Sequence, residues 1–264
     1  MSDQLESTQR EQMSDELLLR YSRQIMMPEF DVACQEKLRA GTALIVGMGG
    51  LGCPAAMYLA AAGCGTLLLA DFDEVDLSNL QRQIAHTQAR IGQNKAESVA
   101  AVIAGLNPDV RVETLKHRLE GDALTAQVRR ADVVVDCTDN FSTRDSINQA
   151  CVETGVPLVS GAAIRAEGQI SVFDFRQTDS PCYHCLYGTF GNEDLTCSQT
   201  GILAPVVGII GTMQALEALK ILSGYGQPAV GRLLTFDADS SSWREFRLRQ
   251  DPECPVCQVK RQET

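Results

Sequence analysis

The run Val46-Gly47-Met48-Gly49-Gly50-Leu51-Gly52-Cys53 is the first place in the chain where residue type and spacing suggest chemistry. Glycine lets a backbone bend tightly and bring its N–H groups against an anion, and a helix opening after the turn adds about half a positive charge. Gly47, Gly49 and Gly50 are the expected contacts. Asp71 stands 19 residues after Gly52, where a carboxylate can bond ribose hydroxyls. On its own this G-x-G-x-x-G spacing with a trailing acid favours NAD, and with it an NAD-dependent oxidoreductase. It also suits a turn needed only for close helix–strand packing.

The stretch Asp73-Glu74-Val75-Asp76-Leu77-Ser78-Asn79-Leu80-Gln81-Arg82-Gln83 adds polar and basic groups soon after the ribose position. Ser78 can cap a short helix, which would put Asn79 and Arg82, three apart, on one face. Lys95 opens a later helix. Arg, Lys and Asn converging on a phosphate cradle suit a nucleoside triphosphate, whose charges need cationic clamps, whereas hydride transfer has no comparable need. The plainer alternative is a solvated surface helix. Cys137-Thr138-Asp139-Asn140 falls at the carboxyl end of the fourth expected parallel strand, where open α/β sheets bind ligands. Asp139 there could hold Mg²⁺ on phosphates, or simply cap the next helix.

Two C-x-x-C pairs, Cys182–Cys185 and Cys254–Cys257, are separated by 68 intervening residues. Each pair offers two thiolates, and two pairs complete a closed tetrahedral shell with no open position, the pattern of a structural zinc site. The competing reading is redox chemistry at Pro181-Cys182-Tyr183-His184-Cys185. Cys197 stands apart after a glycine-rich stretch, as a loop nucleophile or an inert thiol.

These groups need a frame. Short β-branched or apolar runs at 43–46, 66–70, 110–115 and 132–137 read as buried strands. Patterns at 31–40, 52–62, 95–105, 121–130 and 143–154 read as helices between them, after a short helix starting at Ser14. Alternating βα units predict a doubly wound, mostly parallel sheet. After Pro157 the texture changes: strands are expected at 169–175, 233–237 and 243–248, with a long apolar helix from Val207 to Leu222. No internal repeat, linker or low-complexity segment breaks the chain, so one continuous α/β domain is expected.

The chain has 264 residues, 44% of them hydrophobic and 22% charged, which is a globular composition. Its formal net charge of −11 disfavours nucleic acid and acidic membranes as partners. Two uncharged runs, 40–70 and 195–216, are long enough to span a bilayer. Glycine and proline break the first, Pro205 and the glutamines Gln199 and Gln214 interrupt the second, and both are expected in a buried core. A polar opening stretch without an apolar segment, in a chain with ten cysteines, predicts a reducing cytoplasm.

Together the motifs resemble the MoeB/ThiF/HesA group, relatives of the ubiquitin-activating enzymes. The resemblance runs from Arg20-Tyr21-Ser22-Arg23-Gln24-Ile25 to the last cysteine pair and includes G-M-G-G-L-G-C at 47–53, D-F-D at 71–73, L-S-N-L-Q-R-Q at 77–83 and D-C-T-D-N at 136–140. It implies a Rossmann-like α/β fold, doubly wound and mostly parallel, continued by antiparallel strands and carrying a structural four-cysteine zinc site. Residues 1–40 would form a helical arm, 41–160 the nucleotide-binding half, and 161–264 the carrier- and zinc-binding half of the same domain. The implied activity is ATP-dependent adenylylation of the C-terminal Gly-Gly carboxylate of a ubiquitin-like sulfur carrier. Gly47, Gly49, Gly50, Asp71, Ser78, Asn79, Leu80, Gln81, Arg82, Lys95, Asp139 and Asn140 would bind the nucleotide, with Asp139 on Mg²⁺. Arg82, Lys95 and Asp139 would be catalytic, together with Arg23 reaching across a homodimer and Cys197 at the family's reactive-cysteine position. Ser160–Gln169 looks like the molybdopterin branch, serving a MoaD-like carrier. Residues 130–134 and 241–244 look like the thiamine branch, serving a ThiS-like carrier, although Tyr187 stands where many of that branch carry Trp. Only seven residues follow Cys257, which implies a separate sulfur donor.

Overall fold

The computed structural model describes residues 13–188 and 201–258. Period-2 alternation explains the unbroken apolar runs of the first half. In β1 (Thr42–Val46), β2 (Thr66–Ala70) and β4 (Val133–Asp136), residues Ala43, Ile45, Leu67, Leu69, Val133 and Val135 enter one core layer. Their neighbours Leu44, Val46, Leu68 and Val134 enter the other. A strand buried on both faces has no polar side, as parallel sheets require. The first layer is covered by α3 (Val32–Ala40), α4 (Gly52–Ala62), α5 (Lys95–Leu106) and the long α9 (Ala204–Ser223). The second is covered by α6 (Gly121–Val128) and α7 (Phe141–Thr154), with Tyr183 of the short α8 (Tyr183–Tyr187). Ahead of these, α1 (Asp15–Arg20) is capped by Ser14 as expected and leads into α2 (Ser22–Ile25).

One eight-stranded sheet runs through the molecule in the order β3-β2-β1-β4-β5-β6-β7-β8. From β3 (Arg111–Leu115) to β5 (Leu158–Ile164) the pairing is parallel; β6 (Glu167–Phe173), β7 (Arg232–Asp237) and β8 (Ser242–Arg247) continue it antiparallel. From β1 the chain winds to β2 on one side and later to β4 on the other, so a crevice opens at their carboxyl ends.

Strand β5 is absent from the sequence expectation. Its centre, Ser160-Gly161-Ala162-Ala163, has weak strand propensity, and tertiary packing makes the strand. A Cβ on Gly161 would come within 2.4 Å of the Gln214 side chain, whose Nε2 donates to the Asp136 carbonyl at 2.6 Å. Helix α9 begins three residues earlier than expected, with Pro205 in its first turn, where a missing N–H costs nothing. It is long and apolar enough to cross a membrane by length and composition, but more than half of it is buried here, against α4, β5 and β6.

Candidate active site

The glycine turn closes because two of its positions have no room for a side chain. Gly47 takes a left-handed φ of +93°, and a Cβ there would meet the Cys137 carbonyl oxygen at 2.8 Å, so the ends of β1 and β4 touch through it. A Cβ on Gly52 would overlap the Gly47 carbonyl. Gly47, Gly49 and Gly50 line the cleft that opens above the sheet.

Asp71, at the end of β2, accepts from Met48 N–H at 2.7 Å and from Asp73 N–H at 2.8 Å. Burial raises its carboxyl above the ordinary value, and those two donors work against the rise. Lys95 is the first residue of α5, whose N-cap is Asn94. Its ammonium is largely buried and lies 2.8 Å from Asp73 Oδ2, a pairing that sequence did not reveal. Arg82 also lines the cleft, donating to the Ser78 carbonyl at 3.1 Å.

The stretch before Arg82 differs in detail from expectation. Asp76, not Ser78, caps the short 3₁₀ turn Leu77–Asn79, because its carboxylate accepts from Ser78 N–H and the Ser78 hydroxyl. Asn79 completes a capping box by accepting from Asp76 N–H. Ser78, Asn79, Leu80 and Gln81 do not line the cleft, whereas Gln83, which sequence reasoning passed over, does. Gln83 is buried and its Oε1 has no hydrogen-bond partner. Its only sequence signal was its place at the end of L-S-N-L-Q-R-Q.

On the other side of the crevice, Asn140 rather than Asp139 caps α7, accepting from Thr143 N–H at 3.0 Å. Asp139 is thus left exposed at the mouth of the cleft, which Asn140 also lines. Largely buried Arg144, which also lines the cleft, holds the loop by donating to the Thr138 carbonyl. The buried Asp136 carboxylate takes the Thr138 N–H and hydroxyl. The cleft, about 750 Å³, continues past Asp139 over β5 to β8: the small residues Ala162, Ala163 and Gly168 line it, with Gln169, Thr235, Arg244 and Phe246, which the strand register puts on the same face as Ala162. On the other face of the sheet, the exposed Trp243 packs its ring on Phe236 at 5.0 Å between centroids.

The two cysteine pairs meet. Cys182 Sγ lies 3.7 Å from the sulfurs of Cys185 and Cys254, and Cys185 Sγ lies 3.6 Å from that of Cys257. Four sulfurs at about 2.3 Å from a tetrahedral zinc ion would stand about 3.8 Å apart, so this donor set fits one. Thiol hydrogen bonds from Cys182 and Cys257 draw the Cys185 thiol below its ordinary value, favouring the thiolate a cation needs. His184 turns away to Asp145 on α7, 3.2 Å from Nδ1 to Oδ1. Arg23, on α2, is exposed and does not line the cleft of its own chain. Cys197 lies outside the described residues.

A glycine turn at strand ends, cations that include Arg82 and Lys95, and a strand-end acid, all on one cleft with the small residues Ala162, Ala163 and Gly168, suit transfer of a nucleotidyl group to an extended tail. Proteins close to half identical over nearly the whole chain are adenylyltransferases, and so is this one. The chain belongs to the ThiF family, whose model matches residues 21–256. It is 48% identical over 246 residues to the molybdopterin-synthase adenylyltransferase of Salmonella typhimurium, covering 93% of this chain and 98% of that one. It is 47% identical over 245 residues to the sulfur carrier protein ThiS adenylyltransferase of Escherichia coli, covering 93% and 97%. Among solved structures, Escherichia coli MccB crystallised with ATP shares the fold with a TM-score of 0.78 at 21% identity, over 90% of this chain and 73% of that one.

Proposed function

We propose that the chain uses ATP to adenylylate the C-terminal Gly-Gly carboxylate of a ubiquitin-like sulfur-carrier protein, MoaD-like first of all. The observation that carries this is one cleft that joins the glycine turn, Arg82 and Lys95 to a stretch of strand surface where Ala162, Ala163 and Gly168 leave room for a thin chain. A tail of two glycines fits such a stretch, and the cradle fixes where the triphosphate lies. One carboxylate oxygen attacks the α-phosphorus, the bond to the bridging oxygen of the β-phosphate breaks, and pyrophosphate leaves. The product is an acyl-adenylate. A carboxylate needs no base to attack, so the protein's contribution is positioning and neutralisation of charge.

Arg82 and Lys95 supply that positive charge, Lys95 exchanging Asp73 for phosphate oxygens, and Asp71 takes the ribose. Asp139 would hold Mg²⁺, which would neutralise charge on the phosphates. The four cysteines would hold structural zinc, anchoring the C-terminal segment to α8 and through it to α7. Arg23 acts across a homodimer; its exposure, beside Leu19 and Met26 at 76% and 71% exposed, supports a partner surface on the same arm. Nine cysteines without a disulfide among the described residues, five of them outside the four-sulfur cluster, support a reducing cytoplasm.

Near-equal identity to the ThiS adenylyltransferase supports a second reading, a ThiS-like carrier for thiamine thiazole synthesis. ATP–pyrophosphate exchange with purified carriers of both kinds tests function and branch together. Exchange is expected with the MoaD-like carrier and faster than with the ThiS-like one. Failure with every Gly-Gly-ended carrier would end the proposal.

A further inference from the structure

A phosphate ligand must meet the glycine turn and Lys95 at once, yet these belong to separate segments. His86 lies between them. Its ring is buried; Nε2 is 3.0 Å from the Met48 carbonyl oxygen and Nδ1 is 2.9 Å from Ser98 Oγ, on α5 one turn after Lys95. A carbonyl oxygen only accepts, so the ring proton belongs on Nε2, and Nδ1 then accepts the Ser98 hydroxyl proton. Burial pushes the imidazolium's pKa below its ordinary value; the bond to the Met48 carbonyl works against this, and the charges of Lys95 and Arg90 add to the lowering. Cys53 Sγ donates to the same Met48 oxygen at 3.4 Å.

The consequence follows from peptide planarity. The Met48 C=O and the Gly49 N–H belong to one planar trans unit, so they point in opposite directions. Drawing the Met48 oxygen into the core therefore turns the Gly49 N–H outward, and Gly49 lines the cleft. The peptide unit before it is held as well, because the Met48 N–H is donated to Asp71 Oδ2.

We propose that His86 is a positioning residue for the nucleotide: through Met48 it aims the Gly49 N–H at the phosphates, and through Ser98 it keeps that donor in register with Lys95. This rests on the adenylylation reading only in taking ATP as the ligand. The test compares the wild type with His86→Leu, His86→Gln and Ser98→Ala. It uses Mg-ATP titration calorimetry, carrier-dependent pyrophosphate exchange, melting temperature and ¹⁵N NMR of the imidazole. His86→Leu is expected to weaken ATP binding roughly tenfold and to lower kcat at least as much, as small misplacements in an active site do, with the KM for carrier unchanged. His86→Gln, which can donate to the same carbonyl, recovers most of the loss, and Ser98→Ala shows a smaller loss of the same kind. NMR is expected to show a neutral ring protonated on Nε2.

Unchanged ATP affinity in a folded His86→Leu protein overturns the proposal. So does an equal rise in the KM for ATP and for carrier, or a ring protonated on Nδ1. If His86→Leu fails to fold, Ser98→Ala and the wild-type tautomer decide the matter. A wild type that binds ATP but shows no exchange with any carrier sinks the functional reading, while the calorimetry and NMR still decide the role of His86.

Discussion

The parallel and antiparallel halves of the sheet do different work by different means. From β1 to β4, the cleft-facing groups sit on loops just beyond strand ends: Gly49 and Gly50 after β1, Asp71 after β2, Asp139 after β4. Buried strands below leave those loops little freedom, and the half works by charge. From β5 to β8, the lining is the strand surface itself, on the face that carries Ala162, Gln169, Thr235, Arg244 and Phe246, with Glu167 and Asp237. That half offers a broad mixed surface, and the two cysteine pairs meet outside it.

Four perturbations break or sharpen the contrast. Cys254→Ser, or chelation of the metal, should remove stabilisation on the order of 10 kcal/mol from the antiparallel half. Circular dichroism melts with zinc stoichiometry measure it, and an unchanged melt in metal-free protein would contradict an anchoring role. Lys95→Ala or Arg82→Ala should lower pyrophosphate exchange about 10³-fold while leaving carrier docking intact, read by exchange kinetics beside a pull-down of the carrier. Gly161→Val should destabilise by about 1–3 kcal/mol, because its side chain lands on Gln214. Denaturant melts test this, and no loss would mean that β5 tolerates side chains against α9. Phe246→Ala should raise the KM for carrier about tenfold, the scale of losing one exposed aromatic from the cleft wall, with the KM for ATP unmoved. Equal changes in both would erase the division of labour.

The charged half was far more legible in sequence than the other. The glycine turn, Asp71, Arg82 and Lys95 stand out by local spacing, and the structure brings them to one cleft; the paired cysteines stand out in the same way and meet. Elements fixed by distant contacts did not. Strand β5 exists because Gln214 of α9 and the flanking strands complete it, and nothing within 158–164 signals that. Which residue caps a helix turned on single carboxylate or amide orientations, so Asp76 took the place expected of Ser78, and Asn140 freed Asp139. His86 from beneath the cleft and Arg144 from its wall hold the carbonyls of Met48 and Thr138, which no spacing rule reports.

The most direct measurement is a crystal structure with Mg²⁺ and a non-hydrolysable ATP analogue. The triphosphate should lie over Gly49 and Gly50, with Lys95 Nζ released from Asp73 and both it and the Arg82 guanidinium at about 2.7–3.1 Å from phosphate oxygens. Arg82 and Lys95 directed away from the phosphates, with the Lys95–Asp73 pair intact, would contradict the account.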